Sequence, residues 1–221
     1  MIYALVTVKS RADMLVKCIE SMQSELVNIT VLMVGNDSNV LRAVHDMLDA
    51  EKINSVARFD GAFMSGELYG ASLMAEHNHI HDCDLIYFCA CDYVMYEGWI
   101  DKIESFLAMY QPIVASLELE PLFPWNAPIK HVVINGGHGI ARASLPGANW
   151  IMRYDTFKDI KPVMEKYQCS LTHDLDVCKE LLATHGLVAL NLADHIGAYD
   201  SSNGNQAFQV NAKPLPDEWK V

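Results

Sequence analysis

Positive charge is scarce in this chain. Across 221 residues, Lys and Arg together number 16 against 28 Asp and Glu, for a formal charge of −12. Binding to nucleic acid or anionic membrane through clustered basic side chains is therefore disfavoured. Long apolar runs are missing as well. Each is broken by Asp, Asn, Gly or Pro short of the roughly 20 residues that a membrane helix needs. The opening MIYALVTVKSRADML has no basic stretch ahead of an apolar one, so a secretory signal is not expected. The six cysteines never form a C-x-x-C pair, which removes the zinc-knuckle and thioredoxin signatures. Reduced, buried thiols in a cytoplasmic protein are the expectation. GxxxxGK(S/T), GxGxxG after the first strand, GxSxG, HExxH and HxE…PCxxC do not occur either, which removes their chemistries.

What is present is apolar and periodic. Hydrophobic residues make up 51% of the chain, enough for one sizeable core. Tyr3 to Val8 reads as a buried strand, and Arg11 to Glu25 as a helix with Met14, Leu15, Cys18, Ile19 and Met22 on one face. Asn28 to Val34 is a second strand ending at the turn Gly35-Asn36-Asp37-Ser38. Val40 to Leu48 reads as a helix and Val56 to Phe59 as a third strand. Leu68 to His77 is helical, with His77, His79 and His81 forming its solvated end. Asp84 to Ala90 is a central strand, Gly98-Trp99 opens a helix over Ile100 to Tyr110, and Ile113 to Leu117 is a further strand.

From Glu118 to Gly147, prolines and the Gly136-Gly137-His138-Gly139 turn point to loops and short strands lying over one sheet face. Asn149 to Tyr154 reads as a strand before a short helix near Phe157. Thr172 to His185 reads as a helix capped by Thr172 and closed by Gly186, and Leu187 to Leu192 as a strand running into Asp194-His195. Strands alternating with helices predict an α/β domain with a mostly parallel central sheet flanked by helices, over 1–200. A loop or tail is expected over 201–221.

Ligands of such sheets bind outside the carboxyl ends of the strands. The polar residues ending strands are Thr7, Lys9 and Arg11, Asn36 and Asp37, Asp92, and Asp194 with His195. Asp92 reads as a group for a metal or diphosphate, or as a turn Asp. His173, Asp174 and Asp176 open a helix. Asp174 reads as a general base, or as an acid stabilised by the helix dipole. His195 reads as a metal ligand or as a satisfied cleft histidine.

Four segments in order resemble the GT-A fold glycosyltransferases, and among them the inverting family 2 group. They are Val6 to Arg11 with the helix after it, Val31 to Ser38, Asp84 to Asp92 with Gly98-Trp99, and Thr172 to Asp176 with Asp194-His195. The resemblance implies a Rossmann-like nucleotide-diphospho-sugar transferase fold and a nucleotide-sugar donor, UDP-sugar favoured. Thr7, Arg11, Asn36, Asp37 and Asp92 would line the nucleotide site, and Mn²⁺ or Mg²⁺ would sit at Asp92 and His195. Asp174 would be the base of an inverting displacement, with Trp150, His173 and Asp176 on the acceptor side.

Ala90 stands where the first Asp of the DxD pattern belongs, Gly35 where an Asp that contacts the base is usual, and His173 where a Glu is usual. Glycan, lipid, protein and modified DNA base stay open as acceptors, with the acidic balance weighing against DNA. The other readings are a non-catalytic nucleotide-binding protein of this fold and a nucleotidyltransferase-like enzyme. The number of subunits is not written in these motifs.

Overall fold

The computed structural model describes residues 1–61, 63–118, 128–134, 137–142, 145, 149–170 and 173–196. The chain opens with β1 (Ile2–Val8), α1 (Ala12–Ser21), β2 (Val27–Val34), α2 (Ser38–Asp49) and β3 (Ser55–Phe59), the three strands paired in parallel. Helix α3 (Phe63–His77) leads into β4 (Leu85–Ala90), which pairs in parallel with the other side of β1. Next come β5 (Tyr93–Met95), α4 (Trp99–Met109), β6 (Ile113–Glu118), β7 (Pro128–Ile134) and β8 (Gly137–Arg142). The described chain then runs through β9 (Asn149–Arg153), α5 (Tyr154–Tyr167), α6 (His173–Leu181) and β10 (Gly186–His195).

Among the described residues these strands form one ten-stranded sheet, β3-β2-β1-β4-β9-β6-β10-β8-β7, with β5 paired to β10. β9 runs antiparallel to both β4 and β6, so β6 and β10 run the same way as β1 to β4. The carboxyl ends of β1, β2, β4, β6 and β10 therefore share one edge, where the polar strand-end residues gather.

Every residue of β1 is buried, because helices cover both faces of the sheet. Strand alternation sends Ala4 and Val6 to one core, with Leu15 and Ile19 of α1, Val44 of α2 and Phe106 of α4. Leu5 goes to the other core, with Leu68 of α3, Ile160 of α5 and Val177 of α6. Each fully buried aliphatic side chain contributes about 1.5–3 kcal/mol. Two glycines are required by geometry. A Cβ on Gly70 would come within 2.6 Å of the Leu5 side chain, so α3 could not lie this close to β1. Gly98, at φ 73, forms the left-handed turn into α4.

The structure departs from the sequence reading in several places. α1 ends at Ser21 because Ser21 Oγ and the Gln23 amide donate to the carbonyls of Cys18 and Ile19, closing its last turn before Glu25. α5 is a full helix of 14 residues rather than a short one. α6 stops at Leu181, so Gly186 is not its closing glycine. Gly186 opens β10, donating its N–H to the Pro112 carbonyl. Residues 137–139 are not a turn but the first half of β8. With β7 they extend the sheet beyond β10 rather than covering a face.

Cys18, Cys89, Cys91 and Cys178 are buried as expected, whereas Cys83 and Cys169 are exposed. The Thr172 cap, Gly136 and the 201–221 tail lie outside the described residues. No described helix is long and apolar enough to cross a membrane.

Candidate active site at the carboxyl edge of the sheet

β4 ends at Ala90, and the chain is held there by the Cys91 N–H donating to the Thr7 carbonyl. This places Asp92, buried, just beyond the sheet. Burial alone would raise its carboxyl, but His195 and then Arg11 outweigh it and hold the group below the ordinary value. Arg11 Nη1 donates to Asp92 Oδ2 at 2.8 Å. Arg11 caps α1 in a left-handed conformation, φ 70 and ψ 57, which costs a non-glycine residue about 1–2 kcal/mol. Its carbonyl accepts from the N–H groups of Met14 and Leu15, so the helix start holds it in place. Asp92 Oδ1 is buried with no hydrogen-bond partner among the described residues.

His195 closes β10. The short β5 doubles back and pairs antiparallel with it, putting Tyr93 opposite His195. Their rings stack at 4.4 Å. His195 Nε2 lies 3.4 Å from Asp92 Oδ2, and Nδ1 lies 3.3 Å from Glu118 Oε1. The Tyr93 hydroxyl donates to Glu118 Oε2 at 2.9 Å. Burial favours the neutral imidazole, but Asp92 and Glu118 override it and push its pKa up to about 10. The site therefore holds two carboxylates and two cations in one connected chain. Cys91 beside it stays a thiol, because burial and then Asp92 push it up to about 12.

The predicted residues divide between two places. Thr7, Arg11, Asp92 and His195 come together at the ends of β1, β4 and β10, and the buried Thr7 hydroxyl has no partner among the described residues. Asn36 and Asp37 end β2 on the same edge. Asp37 Oδ1 is occupied in capping α2, accepting from the N–H groups of Asn39 and Val40.

His173, Asp174 and Asp176 form the half-buried first turn of α6. Asp176 accepts from Ser170 Oγ at 2.7 Å, and His173 Nδ1 lies 3.2 Å from the Ser170 carbonyl, so both also hold the turn before the helix. Trp150, expected on the acceptor side, lies in the core. It is 2% exposed and packs in the core with Phe88 and Val177, because alternation along β9 turns it inward. Asp194 is exposed opposite Val94 and outside the His195 chain, while His77, His79 and His81 are exposed as expected.

Three residues escaped the sequence reading. Glu118 ends an apolar strand at the carboxyl edge, the same signal that singled out Asp92. Tyr93 had no signal, because a strand of three residues is too short for periodicity. Glu67 lay just outside the helix read from Leu68 but sits inside α3, 4% exposed, and its Oε1 has no partner among the described residues. Burial, and then the charge of Asp174, raises its pKa to about 8.

A divalent cation in such a fold needs several oxygen or imidazole ligands. Here Asp92 Oδ2 is engaged by Arg11, both His195 nitrogens face carboxylates, and Ala90 offers no side-chain oxygen. Asp92 Oδ1 is a single unengaged oxygen. Asp92, His195 and Glu118 lie in a row with the imidazole between the two carboxylates, and no three His, Cys, Asp or Glu side chains among the described residues are grouped to hold a metal ion. As arranged, this set does not fit a divalent cation.

No family model matches the sequence, and no curated protein matches it. Solved structures do match the fold. GalNAc-T7 with UDP, GalNAc and Mn²⁺ is 9% identical with TM-score 0.63, over 87% of this chain and 43% of that one. Staphylococcus aureus TarS 1–349 is 12% identical with TM-score 0.61, over 90% of this chain and 61% of that one. The same TarS fragment in complex with UDP is 11% identical with TM-score 0.55, over 86% of this chain and 58% of that one. These neighbours are GT-A glycosyltransferases, and this chain has their fold. It spans about half the length of the structures it matches.

Proposed function

We propose that the chain is a glycosyltransferase that moves a sugar from a nucleotide sugar, UDP-sugar favoured, to an acceptor hydroxyl. The observation that carries this reading is the Arg11–Asp92–His195–Glu118 chain at the carboxyl edge of a GT-A sheet, with Asp174 at a helix start. Fold neighbours with UDP, and with UDP and Mn²⁺, support it.

In this reading Thr7, Arg11, Asn36, Asp37 and Asp92 face the nucleotide. Asp174 takes the proton of the acceptor hydroxyl as that oxygen attacks the anomeric carbon. The bond from that carbon to the diphosphate oxygen breaks, and the diphosphate leaves with the electron pair. One displacement inverts the anomeric centre. His173 and Asp176 stay on the acceptor side, next to the base. A divalent cation at Asp92 and His195 is the usual supply of charge for such a leaving group. The donor set as folded does not fit one, so no step is routed through it. Glycan, lipid, protein and modified base all remain acceptors of the required chemistry.

The test is transfer by Asp174→Asn. Loss of a general base costs about a hundredfold or more in rate, while nucleotide binding stays unchanged. Full transfer by the variant would remove Asp174 from this role. The Ala90 and His173 departures favour a second reading, a nucleotide-binding protein without transfer, in which neither the wild type nor the variant releases nucleoside diphosphate from any sugar nucleotide.

A further inference from the structure

The misfit between the donor set and a divalent cation has a counterpart in what is already there. Arg11 places a permanent positive charge 2.8 Å from Asp92, the carboxylate from which a cation would be expected to hang. It does so from a left-handed backbone, at φ 70, a conformation that favours glycine and is costly for Arg. His195 is turned between Asp92 and Glu118, at 3.4 and 3.3 Å, so each ring nitrogen faces a carboxylate oxygen. Tyr93 fixes that orientation twice, by stacking on His195 and by donating to Glu118. Glu118 and Tyr93 are thus positioning residues that keep the imidazole committed to the chain's own carboxylates. Ala90 removes the other side chain from which a cation would take oxygen.

Resting on the glycosyltransferase reading, we propose that this chain binds the diphosphate of its nucleotide donor without a divalent cation, with the Arg11 guanidinium supplying the positive charge. A guanidinium carries five N–H donors in a planar fork, so it can engage Asp92 and a diphosphate together. Charge-assisted bonds of this kind are the strong ones, and their bidentate form matches phosphate oxygens. Asp92 then orients Arg11 rather than a metal ion.

Calorimetric titration of the full chain with UDP and with GDP, in excess EDTA and in excess Mn²⁺, tests this. The expected result is binding of one nucleoside diphosphate with the same affinity in both conditions, to within about threefold, well inside the tenfold that 1.4 kcal/mol represents. Binding that is tighter by tenfold or more with Mn²⁺ would overturn the proposal and leave the donor reading standing. No binding in either condition would overturn both. Arg11→Gln keeps the backbone preference of a non-glycine residue and removes the charge. It is expected to weaken binding in EDTA about tenfold or more, with Arg11→Lys restoring part of it. Unchanged binding by Arg11→Gln would contradict the assignment. Because that variant could also disturb the α1 start, the wild type provides an independent readout. Electron paramagnetic resonance of Mn²⁺ with the wild-type chain and no nucleotide is expected to show the free ion, and a bound-ion signal would count against the proposal.

Discussion

The two acidic regions of the molecule handle charge in opposite ways. Around Asp92, each carboxylate meets a cation: Arg11 and His195 on Asp92, His195 on Glu118. Around Asp174, the neighbouring acid Glu67 is buried with an unpartnered oxygen among the described residues and a pKa raised to about 8. The first arrangement holds Asp92 and His195 charged across the neutral range. The second leaves a proton free to come and go near neutral pH. Only the first arrangement bears on the leaving group of the proposed reaction. The end that receives a departing diphosphate needs standing positive charge, and Arg11 and His195 supply it there.

Removing one side of the balanced region should destabilise the fold. Glu118→Ala removes the acceptor of the Tyr93 hydroxyl bond and leaves His195 with one carboxylate. Breaking a buried pair on one side costs about 3 kcal/mol, reduced here because His195 is partly exposed. A denaturant titration giving a loss of about 2 kcal/mol is expected. A loss too small to measure would mean that the chain of ion pairs contributes nothing to the fold.

The unbalanced region predicts the opposite sign. The Glu67 pKa in the folded state lies above its ordinary value, so its contribution to stability is complete at low pH. That contribution drains away as pH rises from about 4.5 toward about 8. At roughly 1.4 kcal/mol per pKa unit the bound is several kcal/mol. Glu67→Gln should remove this slope and leave the protein more stable than wild type at pH 8 by about 2 kcal/mol. Parallel stability–pH curves for the two proteins would show that Glu67 is not held protonated by the fold.

The smallest effect marks the border between the regions. Asp37 ends β2 beside the donor edge but is occupied with capping α2. Asp37→Ala should cost about 1 kcal/mol, and Asp37→Ser should recover most of it because Ser also caps. A stability unchanged by the Ala substitution would remove capping as the reason for an acid there.

Much of this was legible from the chain. The strands betrayed themselves by apolar runs ending in a polar residue, which puts Thr7, Arg11, Asp92 and His195 on one edge. The same rule applied to Glu118 would have completed the site. It was passed over because the proline-rich stretch beginning there read as a loop. Tyr93 could not have been found, since its role depends on β5 folding back onto β10, a pairing that spans about a hundred residues. Glu67 was hidden for a related reason: an acid on a helix is ordinarily solvated, and only the packing of α3 beneath the sheet edge buries it. Trp150 was placed on the acceptor side by resemblance alone, while the alternation of β9 buries its ring in the core.

The most direct measurement is thermal unfolding of the full chain with a panel of nucleoside diphosphates and their sugar conjugates. A ligand that binds only the folded state at a hundredfold excess over its dissociation constant adds about 2.7 kcal/mol. A donor site at the Arg11–Asp92 edge predicts a rise in Tm with one nucleotide series, UDP first, and loss of that rise in Arg11→Gln. A flat Tm across the whole panel would contradict it.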